Sequence, residues 1–547
     1  MIQLSISGMS CEHCASGIEK ALLDVEGIEQ VKVSYEDASA EILARETLTT
    51  ADIIAHIEKL GYHAQAEAAS SCCQQDASHT EHIAIIGSGS AAFAAAIKAA
   101  ENGASITIIE GAEVIGGCCV NVGCVPSKIL IRAAQLAQQQ RDNPFAGLEN
   151  LSPSLNRPLL TEQLTARVEE LRHAKYENIL ANNPAISLLK GYARFQDAHT
   201  LIVKKADLSV QQLVADKILV ATGSSPTIPP IKGLADTPYW TSTEALFAEH
   251  IPAHLVVIGS SVIALEIAQA YRRLGSEVTI LARHSLLYRE DPLLGEQLMA
   301  CFEKEGIKVL TQTQASQVSH DNGDRSKQFT LHTNAGIIQC EQLLISTGRH
   351  ANTASLELAR AGIATTETGA IIVNESLQTN VPHIYAAGDC TTLPQYVYVA
   401  AAAGSRAGIN MTGGDAKLDL HTLPAVIFTD PQVATVGLSK SQAEQQGMAT
   451  ETRVLTMDNV PRALANFATD GFIKLVAEAG TGRLLGAQIL AHEAGEIIQS
   501  AALAIHNKMT VNELAGQLFP YLTMVEGLKL CAQTFSMDVN ALSCCAG

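Results

Sequence analysis

Two cysteines five positions apart carry the clearest chemistry in this sequence. Cys119 and Cys124 lie in the stretch GGCCVNVGCVPSK, which runs from Gly116 to Lys128 and places a glycine between them. A pair this close can form a strained, easily reduced disulfide, or it can supply two thiolates to a soft metal ion. The stretch is therefore a candidate redox or metal site.

Several of the other cysteines are also paired. The chain has 13 cysteines, and Cys11 and Cys14 form a CxxC near its start. In a long cytosolic chain we expect reduced thiols, so close pairs favour metal or redox roles over structural disulfides. For the isolated cysteines we predict the role of a small buried hydrophobic side chain; these are Cys301, Cys340, Cys390 and Cys531.

Two further cysteine pairs lie in segments of small residues. Cys544 and Cys545 stand on the C-terminal tail SMDVNALSCCAG, where adjacent thiols can close around a soft ion but fit an unstrained disulfide poorly. Cys72 and Cys73 lie in residues 67–81, which are small, polar and without periodicity, as in a flexible linker. The linker pair is either a relay point for a metal ion or has no role.

Composition excludes several classes of function. The net charge of −19, without clusters of Lys and Arg, argues against nucleic acid as a partner. Hydrophobic residues make up 47%, but polar residues interrupt every apolar run before the length of a membrane span. The N-terminus lacks a basic flank and an apolar signal segment, so we expect a cytoplasmic protein.

The first 66 residues follow the strand and helix order βαββαβ, which is typical of ferredoxin-like domains. Ser10 is placed to cap the first helix, so that Cys11 and Cys14 lie in its first turn, where the helix N-terminus favours thiolates. The stretch GMSCEHC resembles the metal-binding loop of heavy-metal-associated domains. The resemblance implies that both cysteines bind a soft ion, and we expect His13 to face solvent.

A dinucleotide-binding unit begins at His82. Gly87 and Gly89, with Ala92 in the third position, follow a predicted strand and open a helix, and Glu110 ends the next strand. The glycines let the backbone approach a pyrophosphate, and the acid can hold a ribose hydroxyl. Because a possible redox pair follows directly, a flavin is the expected dinucleotide.

A second unit of this kind begins near His254. It keeps Gly259, while Ser261 takes the place of the next glycine. Its second strand ends at Ala282 without an acidic residue, and Arg283 and Arg289 follow. Basic groups there suit a 2′-phosphate, so NADPH is favoured over NADH, although Arg289 on a solvated face stays an alternative.

These motifs together resemble the pyridine nucleotide disulfide oxidoreductases. The similarity covers GGCCVNVGCVPSK and continues through ATGSSP, STGR and YAAGDC. It implies that FAD lies along the first unit, with Cys124 facing the flavin as a thiolate, Cys119 as the outer thiol, and Lys128 near the flavin ring in a pair with Glu266. Further implied flavin contacts are Gly117, Thr222, Gly223 and Asp389. Cys118 replaces a usual threonine; it could compete in thiol exchange or be buried, and we predict burial.

The fold class that follows is α/β. We expect two Rossmann-like domains for FAD and NAD(P) and an α+β dimerisation domain, preceded by a ferredoxin-like metal-binding domain. The predicted boundaries are 1–66 for the metal-binding domain, 67–81 for the linker, 82–230 and 356–420 for the FAD domain, 231–355 for the NADPH domain, and 421–547 for dimerisation.

One departure from the family narrows the substrate. Family members that reduce organic disulfides carry a His before a Glu near the C-terminus, but here FPYLTMVEG has Tyr521 at the histidine position and keeps Glu526. A phenol with a pKa near 10 is a poor proton shuttle at neutral pH. With the soft-metal domain and the cysteine tail, the departure favours similarity to the members that reduce mercury(II).

That resemblance implies a homodimer with shared active sites. Mercury(II), arriving as complexes with small thiols, would pass from Cys11 and Cys14 to the partner's tail pair and on to Cys119 and Cys124, with Tyr521 and Tyr176 lining the metal pocket. A glutathione- or lipoamide-type disulfide reductase is the main alternative. A copper chaperone would explain only the first 66 residues, and a thiol redox sensor would not need the NADPH site.

Overall fold

A computed structural model describes residues 2–9, 12–25, 27–35, 38–44, 48–66, 80–321, 323 and 328–539. The chain divides into two compact units, Met1–His79 and Thr80–Gly547. The predicted cysteines Cys11, Cys72, Cys73, Cys544 and Cys545, and the predicted cap Ser10, lie outside the described residues.

The first unit is a sheet covered by two helices. Its elements are β1 (Ile2–Ser7), α1 (Glu12–Leu23), β2 (Ile28–Ser34), β3 (Ser39–Ala44), α2 (Thr50–Lys59) and β4 (His63–Ala66). The described strands pair in the order β2-β3-β1-β4, with β1 antiparallel to both neighbours. Apolar residues of both helices, including Ile18 and Ile57, are fully buried against the sheet. The predicted βαββαβ fold is confirmed.

The second unit opens with the predicted dinucleotide-binding elements. In chain order these are β5 (His82–Ile86), α3 (Ser90–Glu101), β6 (Ser105–Glu110), α4 (Gly117–Val122), α5 (Cys124–Arg141), α6 (Arg157–Arg172), α7 (Asn178–Asn182), β7 (Ile186–Lys190), β8 (Tyr192–Phe195), β9 (Thr200–Lys204), β10 (Val210–Val214), β11 (Lys217–Val220) and β12 (Ser224–Pro226). A π-helical turn, His173–Glu177, separates α6 from α7.

The second predicted nucleotide-binding region follows. It comprises α8 (Ser242–Phe247), β13 (His254–Ile258), α9 (Val262–Leu274), β14 (Glu277–Leu281), α10 (Pro292–Lys304), β15 (Lys308–Leu310), β16 (Ala315–His320), β17 (Phe329–Thr333), β18 (Gly336–Cys340), β19 (Gln342–Ile345) and β20 (Arg349–Ala351). The chain then returns to the first region through β21 (Ile384–Ala386) and α11 (Val397–Met411).

The C-terminal region is a sheet with helices. Its elements are β22 (Ala425–Ile427), β23 (Gln432–Gly437), α12 (Lys440–Gln445), β24 (Thr450–Thr456), α13 (Pro461–Ala465), β25 (Phe472–Glu478), β26 (Leu484–Ala491), α14 (Ala494–His506), α15 (Val511–Ala515) and α16 (Glu526–Gln533). β26 is buried at every position, because strands pair on both its edges and α14 packs against it.

The strand orders place both predicted nucleotide motifs at the carboxyl ends of central strands. In the described chain, parallel strands pair as β21-β11-β5-β6-β7 in the first region and as β15-β14-β13-β19 in the second. Each glycine turn therefore lies at the carboxyl end of a central strand, where α/β folds bind ligands. The α/β fold class is confirmed. Among the described residues, no helix has the length and apolarity to cross a bilayer.

The two nucleotide regions share one hydrogen-bonding arrangement. His82, at the start of β5, bonds Thr107 Oγ1 at 2.9 Å and a carbonyl oxygen at 3.1 Å. His254, at the start of β13, bonds Thr279 Oγ1 at 3.0 Å and another carbonyl oxygen at 3.1 Å. In each region the histidine thus ties the amino end of the first strand to the neighbouring strand and to a further backbone segment.

Candidate active site

The thiol pair spans the break between two helices. Cys119 lies on α4, and Cys124 is the first residue of α5. Gly123 joins the helices without a side chain, and a Cβ there would lie only 2.9 Å from the carbonyl oxygen of Cys118. This tight connection brings the Cys119 thiol within hydrogen-bond reach of Cys124, and both side chains are half-buried.

The two thiols differ in acidity. The hydrogen bond from Cys119, assisted by the Lys128 ammonium and opposed by partial burial, lowers the pKa of Cys124 to about 7. The same hydrogen bond, together with burial, raises the pKa of Cys119. The pair therefore loses its first proton from Cys124, near neutral pH, while Cys119 keeps its proton. This asymmetry suits a pair whose two members do different work.

The charge beside Cys124 comes from a pair joined across two regions. Lys128 lies one helical turn after Cys124 on α5, and its Nζ is 2.7 Å from Glu266 Oε2 on α9. Glu266 is only 5% exposed, and its other oxygen accepts the backbone N–H of Phe428 at 2.9 Å. The Phe428 ring centroid lies 4.4 Å from Lys128 Nζ. The contact between Lys128 and Glu266 is the one that the family resemblance implied.

Tyr176 lies close enough to the thiols for their charges to act on it. Burial, together with the nearby sulfur atoms of Cys119 and Cys124, raises the pKa of its phenol, which is therefore protonated at neutral pH. Its ring packs edge-on against Phe93, with centroids 4.9 Å apart. The same ring lines a cavity of about 430 Å³ between α3, the π-helical turn and α11. Tyr176 thus packs against Phe93 on α3 and also lies near the thiol pair.

Glycines shape a cradle that fits an extended dinucleotide beside the thiols. Gly87 has φ 104°, and a Cβ there would lie 2.4 Å from the carbonyl oxygen of Ala221. A Cβ on Gly117 would lie 2.6 Å from the Cα of Gly89, so Gly117 has no room for a side chain, whereas a Cβ on Gly89 would make only an ordinary contact at 3.8 Å. Such bare backbone at the start of α3 is what a pyrophosphate requires. The residues present therefore fit FAD.

Carboxylates at the rim of this cradle are already oriented. Ser88 Oγ donates to Glu110 Oε2 at 2.6 Å, and Ser224 Oγ donates to Asp389 Oδ2 at 2.8 Å. Ala92 is fully buried where α3 meets the sheet. Thr222 and Gly223, the latter with φ 68°, form the turn after β11. The sequence analysis did not predict roles for Ser88 and Ser224. Ser88 stands between Gly87 and Gly89, and Ser224 lies within ATGSSP.

The prediction that Cys118 is buried is wrong. Its side chain is exposed, and its Sγ lies 3.7 Å from Arg349 Nη2. Cys118 occupies the first turn of α4, and the short helix turns it away from the core that holds Val120. Surrounding protein still raises the pKa of Cys118, against the opposing charge of Arg349. By contrast, the four isolated cysteines are buried as predicted.

The second glycine turn has the geometry of a nucleotide site. Gly259 has φ 125°, and a Cβ there would lie 2.1 Å from the carbonyl oxygen of Ser346. Ser261 Oγ donates to that same oxygen at 3.1 Å. Arg283 and Arg289 are exposed just beyond β14, and Arg289 Nε donates to the Tyr288 hydroxyl at 2.9 Å. A cationic surface thus lies where the sequence predicts a 2′-phosphate.

The remaining predicted residues lie elsewhere in the chain. Tyr521 stands in the loop between α15 and α16 with a 53% exposed side chain. The neighbouring Glu526 is buried and accepts the backbone N–H of Leu522 at 3.2 Å. Cys14 lies on α1 of the first unit, whereas the thiol pair belongs to the second unit.

Family models match nearly the whole chain. The pyridine nucleotide-disulphide oxidoreductase model covers residues 81–404, and the dimerisation domain of that family covers 423–532. The heavy-metal-associated domain model covers residues 3–63.

Full-length relatives share one activity in their names. A mercuric reductase of Shewanella putrefaciens is 67% identical, and one of Shigella flexneri is 56% identical, each over 100% of both chains. Among solved structures, the HOCl-induced flavoprotein disulfide reductase RclA from Escherichia coli matches 83% of this chain and 99% of its own, at 28% identity and a TM-score of 0.74. LpdA from Mycobacterium tuberculosis matches 84% of this chain and 100% of its own, at 29% identity and a TM-score of 0.75.

Proposed function

This chain belongs to the mercuric reductases of the pyridine nucleotide-disulphide oxidoreductase family, and we propose that it reduces mercury(II) to elemental mercury with electrons from NADPH. The observation that carries the proposal is the unequal thiol pair, Cys119 and Cys124, held beside Lys128 in a chain that has Tyr521 where disulfide-reducing relatives have histidine. Mercury(II) is soft and prefers two thiolates, which this pair can supply.

The reaction balances as a two-electron transfer. FAD bound in the glycine cradle would accept a hydride from NADPH and supply two electrons beside the thiols. Mercury(II) takes up both electrons, NADP⁺ leaves, and one proton is released. The cradle residues would be Gly87, Gly89, Gly117, Glu110 and Asp389, while Arg283 and Arg289 would bind the 2′-phosphate of NADPH.

The chain's own residues capture and hold the metal ion. The Cys124 thiolate attacks a mercury(II) ion that arrives with two thiolate ligands, and displaces the first of them. Cys119 displaces the second and its proton passes to the departing thiolate, so that both protein sulfurs bind the ion. Lys128 balances the negative charge of the thiolates, and Tyr176 closes the pocket with an apolar ring and a neutral hydroxyl.

Other cysteine pairs would deliver the ion. Cys11 and Cys14 form the proposed first binding site, and the tail thiols Cys544 and Cys545 pass the ion to the thiol pair of the other subunit. The matched dimerisation domain supports a homodimer. The partner's Tyr521 would then line the pocket opposite Tyr176. Each transfer exchanges one thiolate for another, so the ion is never released to water.

A comparison of electron acceptors tests the proposed function. The holoenzyme is given NADPH with mercury(II) in excess small thiol, with oxidised glutathione, or with oxidised lipoamide, and NADPH oxidation is followed by absorbance. We expect fast oxidation with mercury(II) and release of mercury vapour, and little oxidation with either disulfide. Equal or faster turnover of a disulfide would assign the chain to disulfide reduction instead.

The tail pair is tested by replacing both Cys544 and Cys545 with alanine. We expect at least about a tenfold loss of turnover on thiol-complexed mercury(II), because the active-site pair must then compete with small thiols unaided. Flavin content should not change, since neither substitution replaces a proposed cradle residue. Replacing Cys301 and Cys340 with alanine is the matched control for losing two thiols. Unchanged turnover in the tail variant would remove the tail from the mechanism.

A further inference from the structure

Lys128 is held from two sides. Glu266 Oε2 lies 2.7 Å from its Nζ on one side, and the Phe428 ring lies 4.4 Å away on another. A flexible lysine side chain loses considerable rotamer entropy when it is fixed, and the two contacts together offset that cost. Its position matters because it lies one helical turn from Cys124.

Phe428 contacts both members of the ion pair. Its backbone N–H donates to Glu266 Oε1 at 2.9 Å, which leaves the other carboxylate oxygen directed at Lys128. Its ring provides the electron-rich face that an ammonium prefers. One residue therefore orients the carboxylate with its backbone and the ammonium with its side chain.

The loop that carries Phe428 is itself fixed to α9. Gln269 accepts the backbone N–H of Asp430 at 2.8 Å and donates to its carbonyl oxygen at 2.8 Å. Arg273 Nη1 donates to the Asp430 carboxylate at 2.9 Å and is only 6% exposed. With Glu266, these side chains recur every three or four residues along one face of α9. The Phe428 ring is thus positioned by a rigid attachment.

We propose that Phe428 is a positioning residue of the active site, whose ring keeps the Lys128 ammonium beside the Cys124 thiolate. The inference rests on the proposed function, because it concerns the same thiol pair. The charged and titratable groups around Cys124 are Cys118 and Cys119 on α4, Lys128 on α5, Glu266 on α9 and Tyr176 on the π-helical turn. Lys128 is the cation in this set. Without the ring, its ammonium can move away from the Cys124 thiolate, and the negative charge of Glu266 then repels that thiolate.

The test measures the thiolate directly. Phe428→Leu and Phe428→Met each remove the ring and keep the backbone N–H, while Phe428→Tyr keeps both. The two-electron-reduced holoenzyme is examined at one fixed pH for the absorbance band that a cysteine thiolate produces in contact with oxidised flavin. Flavin content per chain and the melting temperature are recorded alongside. Phe467→Leu is the matched control, because Phe467 is another exposed ring, 5.2 Å from Phe145.

We expect at least about a twofold loss of the band in both ringless variants, as for the loss of a cation–π contact at a partly exposed site. Phe428→Tyr and Phe467→Leu should keep the band, and flavin content should stay unchanged throughout. A full band in either folded ringless variant overturns the proposal, as does an equal loss in Phe428→Tyr. The band does not depend on mercury, so this result is separate from the outcome of the acceptor comparison.

Discussion

Replacing Cys124 with alanine is expected to lower mercury-dependent NADPH oxidation by about a thousandfold or more, as for the loss of an essential catalytic group. The substitution removes the thiolate that Cys119 and Lys128 stabilise, and it leaves a single thiol to bind an ion that prefers two sulfurs. The measurement is the steady-state rate with mercury(II) in excess small thiol.

The neighbouring thiol offers a matched control. Cys118→Thr removes a sulfur from the same helix but leaves the pair intact, and it restores the residue that is usual in the family. We expect the turnover rate of Cys118→Thr to stay within about threefold of the rate of the unmodified enzyme. The reason is that Cys118 contacts Arg349 and is not a member of the thiol pair. Near-normal turnover of Cys124→Ala, or a comparable collapse in Cys118→Thr, would contradict this assignment.

Gly87→Ala is expected to abolish most flavin binding. A methyl group there would lie 2.4 Å from the carbonyl oxygen of Ala221 on a backbone with φ 104°, so β5 or β11 must shift. Overpacking of this kind costs about 3 kcal/mol, and the shift would fall on the pyrophosphate cradle. Flavin absorbance per polypeptide after purification, together with urea unfolding, measures the two consequences.

Gly103→Ala separates the clash from backbone strain. Gly103 also has a positive φ, 86°, but a Cβ there would meet no atom within 4 Å. We expect a loss of about 1 kcal/mol in unfolding free energy and full flavin content, since only the conformational cost remains. If both variants lose flavin to the same extent, the cradle is not as tight as its geometry indicates.

Most of the active site could be predicted because its members lie in short motifs. Cys119, Cys124 and Lys128 fall within one stretch of 13 residues, whose local spacing decides which side chains share a helix face. Family resemblance supplied Glu266, which no local pattern marks. The α/β fold class and the ferredoxin-like unit followed from hydrophobic periodicity and glycine turns, and both are confirmed. The division of the second unit into FAD and NADPH domains stays a prediction.

What could not be predicted depends on packing between distant segments. Phe428 meets Glu266 across 162 positions, and no composition or spacing near FTDP marks that contact. The prediction that Cys118 is buried failed for a related reason. A cysteine is usually buried, but α4 is short and its first turn faces Arg349, which lies 231 positions away.

Each nucleotide region has a histidine brace, His82 in the first and His254 in the second. The structural role of this brace is separate from the choice of nucleotide. In both regions the brace fastens the amino end of the first strand, whereas the residues proposed to meet a nucleotide lie at the carboxyl ends, with Glu110 in one region and Arg283 in the other. Exposed Arg283 contributes nothing to the brace. The same framework can therefore be adapted to a new nucleotide by changing a few side chains at one end of the sheet, without re-engineering the sheet that holds them.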